Sequence, residues 1–404
     1  MRSILLSQKV DQIQKYLRKK TSNNSESFLT STNKNVGTNN SKCESANNKS
    51  IDFTQILLLS SSLFNDRTYK FVGRKKIDLI LDLDQTLIFS KENTKNEKDD
   101  PENSVYNISI DLSSNKKKNY QVQFRKGFKE FMEQILQISN IYINTHASKK
   151  YANQIITLIK NKYNYDICID NVTSSNTTNL NLKTINENIK NDNFLIVDDS
   201  IISWEDIYFD NIIPSMKFQG FFYKNQNNVI IEKIYHYYFY TRKLYEYDEF
   251  KRDCIDKKKI PYAAETDVSG KSQLHYIGDL INKSYLLSLI KKIPINFAMK
   301  YIKQNVLKNC YIFLCFTDDF CFFKEMVFTL GGAVTFDCQI ATHFIYWKEK
   351  NISFPKERKQ SFSEVNLKWL FHCYFYFSKM DEKKEEYISN NLRKNFSNSY
   401  IYYK

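Results

Sequence analysis

Asp82 and Asp84 stand one residue apart at the end of an apolar run, Leu79-Ile80-Leu81, and Asp198 and Asp199 stand side by side at the end of another, Phe194-Leu195-Ile196-Val197. Carboxylates in such a setting can share a reaction. One binds a divalent cation or attacks phosphorus, and a neighbour passes a proton to the departing oxygen. A bare acid-x-acid triplet is equally compatible with an exposed turn or an adventitious cation site, so the flanking sequence has to decide. An apolar run that stops abruptly at acids is how a buried parallel strand delivers carboxylates to the carboxyl end of a sheet, where ligands bind in open α/β folds.

The elements that must position these acids can be read in order. Residues 91–103 form a charged loop. Residues 105–110 and 120–124 alternate like two strands of a hairpin turning through Ser113, Ser114, Asn115 and Lys116. Arg125-Lys126-Gly127-Phe128 then opens a helix through Phe131, Ile135 and Leu136. A strand at 141–144 ends at Thr145, whose hydroxyl can donate to a phosphate oxygen. A helix at 151–162 and a short strand near 167–169 follow. Lys183 lies fifteen residues before Asp198, and Lys190 lies closer to it as the competing candidate for a cation near these acids.

The chain has 404 residues, room for two domains and some unfolded sequence, and a formal charge of +14 that favours acidic or phosphorylated partners. Its lysines are scattered rather than striped along a helix, so direct nucleic-acid binding is not expected. Cys43, Cys168, Cys254, Cys310, Cys315, Cys321, Cys338 and Cys373 form no C-x-x-C pair and are read as reduced, mostly buried thiols of an intracellular protein. No apolar run approaches the roughly 20 residues that cross a bilayer, so no membrane span is expected. Residues 1–20 are basic with spaced apolar side chains and read as a surface helix rather than a presequence. Residues 21–50 are Asn, Ser, Thr and Lys, too polar to offset the entropy of ordering, and residues 51–64 regain the apolar content of a packing helix.

With these parts in place, Asp82-Leu83-Asp84-Gln85-Thr86-Leu87 resembles the D-x-D-x-T-L signature of the haloacid dehalogenase superfamily, in the form used by phosphatases of the RNA polymerase II carboxy-terminal domain, the FCP/SCP type. Tyr142 with Thr145, Tyr151 and Ala152 is similar to the family's I-Y-T-M-G-T-R-x-Y-A, with Asn144, His146 and Ala147 departing from it; His146 is read as incidental. Trp204 and Asn211-Ile212-Ile213 are similar to its D-D-x-x-x-x-W and N-L-I elements. Arg125 keeps the place of the family's Arg-Pro-Gly turn without the proline. The segment Val172-Thr173-Ser174-Ser175 lacks the arginine found there in the family.

The tail carries a second resemblance. A strand at 310–316, a helix at 320–330 closed by Gly331-Gly332, strands at 333–336 and 342–345, and an amphipathic helix through Val365, Trp369, Leu370 and Cys373 are similar to a BRCT domain. Leu314-Cys315-Phe316 and Phe362 stand where phosphate-binding BRCT units place a hydroxyl and a lysine, which implies peptide docking without a phosphate.

The resemblance implies an α/β fold, a Rossmann-like haloacid-dehalogenase parallel sheet with a small β-hairpin insert, plus a C-terminal α/β BRCT domain. The expected domains are a largely disordered segment at 1–68, a phosphatase domain at 69–224, a tyrosine-rich insert and helical linker at 225–305, the BRCT domain at 306–390 and a tail at 391–404. The implied function is a nuclear, Mg²⁺-dependent protein-serine/threonine phosphatase acting on the RNA polymerase II tail, with the general transcription factor TFIIF as a further partner. Asp82 would be the nucleophile and Asp84 the acid and base. Thr86, Thr145, Lys183 and Arg125 would face or support the phosphate, Asp82, Asp84 (through its main-chain carbonyl) and Asp199 would hold the ion, and Asp198 would support Lys183. Two other readings stay open, a non-catalytic phosphopeptide scaffold and a small-molecule phosphatase of the same superfamily; the latter would need a cap larger than the hairpin.

Overall fold

The computed structural model describes residues 75–94, 98–112, 116–165, 167, 172–174, 182–185, 189, 193–218, 271–315, 320–346, 362–384 and 387. The expected N-terminal helices and polar stretch, the tyrosine-rich segment and Lys190 lie outside the described residues.

Strand β1 (Ile77–Leu81) is buried on both faces, as its near-continuous apolar sequence requires. Its one acid, Asp78, accepts from Asn140 Nδ2 at 3.0 Å. The strand sits at the centre of a five-stranded sheet in the order β6-β5-β1-β7-β8, with β5 Ser139–Thr145, β6 Val172–Ser174, β7 Phe194–Asp198 and β8 Ile212–Pro214. Every pairing in it is parallel. Leu81 is in register with Val197, so the next residues, Asp82 and Asp198, stand together at the carboxyl edge of the sheet. Ile143 pairs with Leu81, which brings Thr145, two residues on, to the same edge. The expected sheet forms. Its outer strand, at 172–174, pairs with the carboxyl-terminal half of β5, and the strand expected near 167–169 lies, apart from Ile167, outside the described residues.

Two helices complete this layer. Helix α1 (Phe128–Ile135) starts after Gly127, which has a φ of +78°, and buries Phe128, Phe131, Met132 and Ile135. Helix α2 (Lys149–Tyr163) is capped by Ser148, whose hydroxyl accepts from the Tyr151 amide at 3.3 Å.

Over the carboxyl edge stands an antiparallel sheet, β2-β4-β3, of β2 Ile88–Glu92, β3 Val105–Leu112 and β4 Lys116–Phe124. The expected hairpin thus has a third strand, taken from the residues after Leu87 and the start of the segment read as a charged loop. Five residues of β2 pair with β4, Ile88 opposite Phe124 through Glu92 opposite Tyr120.

Helices α3 (Gln273–Lys291) and α4 (Ile295–Lys303) are separated by Pro294, which precedes α4 as its N-cap. They are more than the linker expected of this stretch. Leu274, Ile277, Leu280 and Ile281 of α3 share one core with Phe131 and Met132 of α1.

The tail forms a second parallel sheet in the order β10-β9-β11-β12, with β9 Tyr311–Leu314, β10 Ala333–Val334, β11 His343–Tyr346 and β12 Ser363–Asn366. Helices α5 (Phe320–Thr329) and α6 (Leu367–Tyr376) belong to it. Strand β12 adds to the expected elements; Val365 belongs to it and not to the helix that follows. Gly331 has the left-handed φ of +81° that its turn requires, and a Cβ there would fall on the Gln304 carbonyl. Trp369 is fully buried, as expected of a core residue. Among the described residues no helix is long and apolar enough to cross a membrane.

Candidate active site

Asp82 is the last residue of its segment held by the sheet, its amide donating to Val197 O at 3.0 Å. The chain then winds around the Leu83 carbonyl, which accepts from Leu87 at 2.9 Å and Ile88 at 3.0 Å. Gln85 takes a left-handed φ of 66° in this turn, while Leu83 and Leu87 are buried beneath it. The turn fixes where each acid points.

The Asp82 carboxylate is buried and meets Lys183, with Nζ 2.7 Å from Oδ1. Lys183 also lies 2.6 Å from Asp198 Oδ2. Asp198 is committed further: Oδ2 accepts from Trp204 Nε1 at 2.8 Å and Oδ1 from the Ser200 amide at 2.7 Å. The segment carrying Lys183 is tied to β5 by Asn144, whose Nδ2 donates to Thr184 O at 2.7 Å. Burial works against the charge on Lys183, but the carboxylates of Asp198 and Asp82 outweigh it and hold the ammonium above the usual lysine range.

Carboxylate oxygens of Asp82, Asp198 and Asp199 lie within 4.8 Å of one another, all three residues buried. Three hard oxygen donors at one point suit a divalent cation. With Asp198 already accepting from Lys183, Trp204 and Ser200, the acids available for an ion are Asp82 and Asp199. Burial raises the pKa of Asp82 well above the usual carboxylate range, against the pull of Lys183. Burial, with the neighbouring Asp198, pushes Asp199 up to about 6. Lys217, which showed no signal in the sequence, stands 3.6 Å from Asp199 Oδ2.

Asp84 faces the other way. Its Oδ1 accepts from Tyr151 at 2.6 Å and from Ser90 at 3.1 Å. Burial raises its pKa, and those two hydroxyls only partly offset the effect. It opens onto a cleft of about 400 Å³ whose walls include Phe89, Ser90, Tyr120, Ala147 and Tyr151. Tyr151 is visible in the sequence as a motif position without a role, and Ser90 carries no signal there.

Thr86 and Arg125 sit behind the carboxylates rather than in front of them. The single Thr86 hydroxyl proton goes to Asp199 Oδ1 at 3.1 Å, and its oxygen accepts from the Asp199 amide at 2.9 Å. Arg125 is buried, with Nη1 donating to Thr86 O at 2.9 Å and Nη2 to Gln273 Oε1 at 2.7 Å. It therefore supports the turn instead of facing a phosphate. Thr145 is buried at the end of β5, its Oγ1 accepting from Ala147 N at 3.2 Å. His146 is exposed beside the site; partial burial and the charge of Lys183 lower its pKa.

Residues 77–238 match the family model for NLI interacting factor-like phosphatases, a span that opens at the first residue of β1 and takes in both acid-bearing strand ends. This part of the chain is similar to the NLI interacting factor-like phosphatases. A curated relative from Schizosaccharomyces pombe, a phosphatase of the C-terminal domain of RNA polymerase II, is 29% identical over 118 residues, which is 27% of this chain and 16% of the relative. The match thus spans a small part of that relative's length. A solved structure of the fission yeast RNA polymerase II CTD phosphatase Fcp1, in a variant bound to beryllium fluoride, overlays 78% of this chain and 96% of its own at 17% identity and a TM-score of 0.49. A second Fcp1 structure overlays 82% of this chain and 98% of its own at 16% identity and the same TM-score of 0.49. The span matched by the family model, 77–238, contains all four acids, Lys183, Thr86, Arg125 and Thr145.

Proposed function

We propose that this chain is a Mg²⁺-dependent protein serine phosphatase that works through an aspartyl-phosphate on Asp82, with the phosphorylated tail of RNA polymerase II as substrate. The observation that carries the reading is the meeting of Asp82, Lys183, Asp198 and Asp199 at one sheet edge, inside the span matched by the family model.

Asp82 attacks phosphorus, and the bond to the serine oxygen breaks as Asp84 gives that oxygen its proton. Asp84 then takes a proton from water as the water attacks the same phosphorus, releasing inorganic phosphate and restoring the Asp82 carboxylate. A raised pKa suits Asp84 to the first of these steps, since it holds the proton closer to neutral pH. Lys183 orients Asp82 and offers its charge to the phosphate, and Thr145 at the end of β5 is a second donor. Asp82, Asp199 and the main-chain carbonyl of Asp84 would hold Mg²⁺, which when bound neutralises charge on the phosphoryl oxygens. Thr86, Arg125 and Asp198 fix the positions of the others.

The cleft beside Asp84 is open between α2 and the antiparallel sheet, a shape suited to an extended peptide and not to enclosing a metabolite. The activity of the Schizosaccharomyces pombe relative, together with this shape, supports the substrate class. A nuclear location and a peptide-docking role for the BRCT-like tail, with TFIIF as one partner to test, belong to the same proposal.

Tail peptides phosphorylated at a single serine, incubated with the full chain and Mg²⁺, should release phosphate that chelation abolishes. Release from small phosphate esters but from no peptide would shift the reading to the small-molecule class, and no release from either would favour a binding scaffold.

A further inference from the structure

Gln273, the first residue of α3, is completely buried and uses every polar atom of its side chain. Its Oε1 accepts from Arg125 Nη2 at 2.7 Å and from the Met216 amide at 2.9 Å. Its Nε2 donates to the Phe375 carbonyl of α6 at 3.0 Å. Each of these partners leads somewhere different. Arg125 holds the Thr86 carbonyl, and Thr86 holds Asp199. Met216 lies in the segment after β8, where the Phe218 amide donates to Gln85 O at 2.7 Å and the Phe218 ring stands 5.7 Å from the Arg125 guanidinium. Phe375 belongs to the second sheet's helix α6.

We infer that Gln273 is a positioning residue that ties the turn bearing Asp82 and Asp84 to the C-terminal α/β unit. The chemistry requires an amide at this place. One oxygen must accept two hydrogen bonds from the catalytic side while one nitrogen donates to a main-chain carbonyl on the other, and no charged or apolar side chain of this size does both. The network is also enclosed, so a broken link leaves a buried group unsatisfied rather than solvated. Close packing around the helix start points the same way: a Cβ at Gly127, at the head of α1, would come within 2.3 Å of Ser272 Oγ, the N-cap of α3. The segments that carry Arg125 and Gln273 are therefore packed in direct contact. The C-terminal unit is on this reading a support for the catalytic turn, in addition to any docking role. The inference rests on the phosphatase reading for its activity readout alone.

Two substitutions in the full chain separate the links. Gln273→Glu keeps an acceptor for Arg125 and Met216 but sets an oxygen against the Phe375 carbonyl, whereas Gln273→Leu removes all three bonds. With p-nitrophenyl phosphate and Mg²⁺, Gln273→Glu should lower kcat about tenfold with KM within about twofold, as expected when placement of the reacting groups is lost and ground-state binding is kept. Mn²⁺ affinity of the substrate-free chain should fall several-fold in Gln273→Leu, because Asp199 is reached through Arg125 and Thr86, and by less in Gln273→Glu, which keeps the bond to Arg125 and loses only the tie to Phe375. Circular dichroism at the assay temperature sets the folded fraction. Unchanged Mn²⁺ affinity and kcat in Gln273→Glu, or losses that merely track the unfolded fraction, would overturn the inference. A wild-type chain that releases no phosphate would count against the phosphatase reading, and Mn²⁺ affinity would then decide alone.

Discussion

Thr86 and Asp199, from loops 113 positions apart, are latched by a reciprocal pair of hydrogen bonds: hydroxyl to Oδ1 at 3.1 Å and main-chain amide to hydroxyl at 2.9 Å. The threonine that follows the first two acids thereby sets the position of the last one. Neither group is solvated, so the latch costs a buried donor and acceptor when it is broken.

Thr86→Val keeps the shape and removes the hydroxyl. It should destabilise the fold by about 1–3 kcal/mol and weaken divalent-ion binding, while Thr86→Ser restores both. Chemical denaturation and calorimetric ion titration measure the two effects. A valine variant with native ion affinity would show that the latch does not place Asp199.

Asp84 should matter in proportion to the basicity of the leaving oxygen. A serine alkoxide needs a proton as it departs, whereas p-nitrophenolate leaves without one. Asp84→Asn is expected to slow release from a phosphoserine peptide by about a hundredfold or more and to spare much more of the activity on p-nitrophenyl phosphate. Equal losses on the two substrates would remove Asp84 from the role of acid.

Ion binding should weaken in acid. In the ion-free protein, burial with the neighbouring Asp198 pushes Asp199 up to about 6, and burial raises Asp82 as well. Below that pH a cation must displace protons to reach the carboxylates. Mn²⁺ affinity measured by calorimetry should therefore drop between pH 7.5 and pH 5, with protons released on binding at the lower pH. A flat profile would contradict the environment assigned to these acids.

Lys303 offers a second pH signature far from the acids. It is buried, donates to Ile212 O at 3.2 Å and lies 5.4 Å from the Phe377 ring. Burial lowers its pKa to about 8, with Asp210 opposing weakly. The unfolded chain then holds a proton that the folded chain gives up between pH 8 and the usual 10.5, so this group makes stability rise with pH across that window. Relative to Lys303→Met, the wild type should gain on the order of 3 kcal/mol from pH 7 to pH 10.5; a pH-independent difference would mean that the ammonium is solvated.

How much of this could be read from the residues depends on whether burial or long-range pairing sets each one's role. Strands β1 and β7 were legible because a strand covered on both faces must be apolar throughout, and the acids that end it break the pattern sharply. Strand β2 was hidden, since Ile88 to Glu92 is short and runs into lysines, and only its pairing with β4 makes it a strand. Strand β12 was absorbed into the following helix for the same reason: four residues, three of them polar, held by β11. The acids announced themselves by their place at the ends of apolar runs, and Lys183 by its likeness to the family's motif lysine. Ser90, Lys217 and Gln273 carry no spacing of their own and acquire their partners only when the chain folds, and Thr86 and Arg125 were assigned to the phosphate because their backward-facing bonds depend on Asp199 and Gln273, far away in sequence.

The most direct test is Asp82→Asn in the full chain, with Mg²⁺ and either p-nitrophenyl phosphate or a phosphoserine tail peptide. The amide nearly preserves the shape beside Lys183, and Asp198 still pairs with the ammonium. Release of phosphate should fall at least about a thousandfold with the circular dichroism spectrum unchanged. Turnover at close to the wild-type rate would mean that phosphorus is attacked by some group other than Asp82.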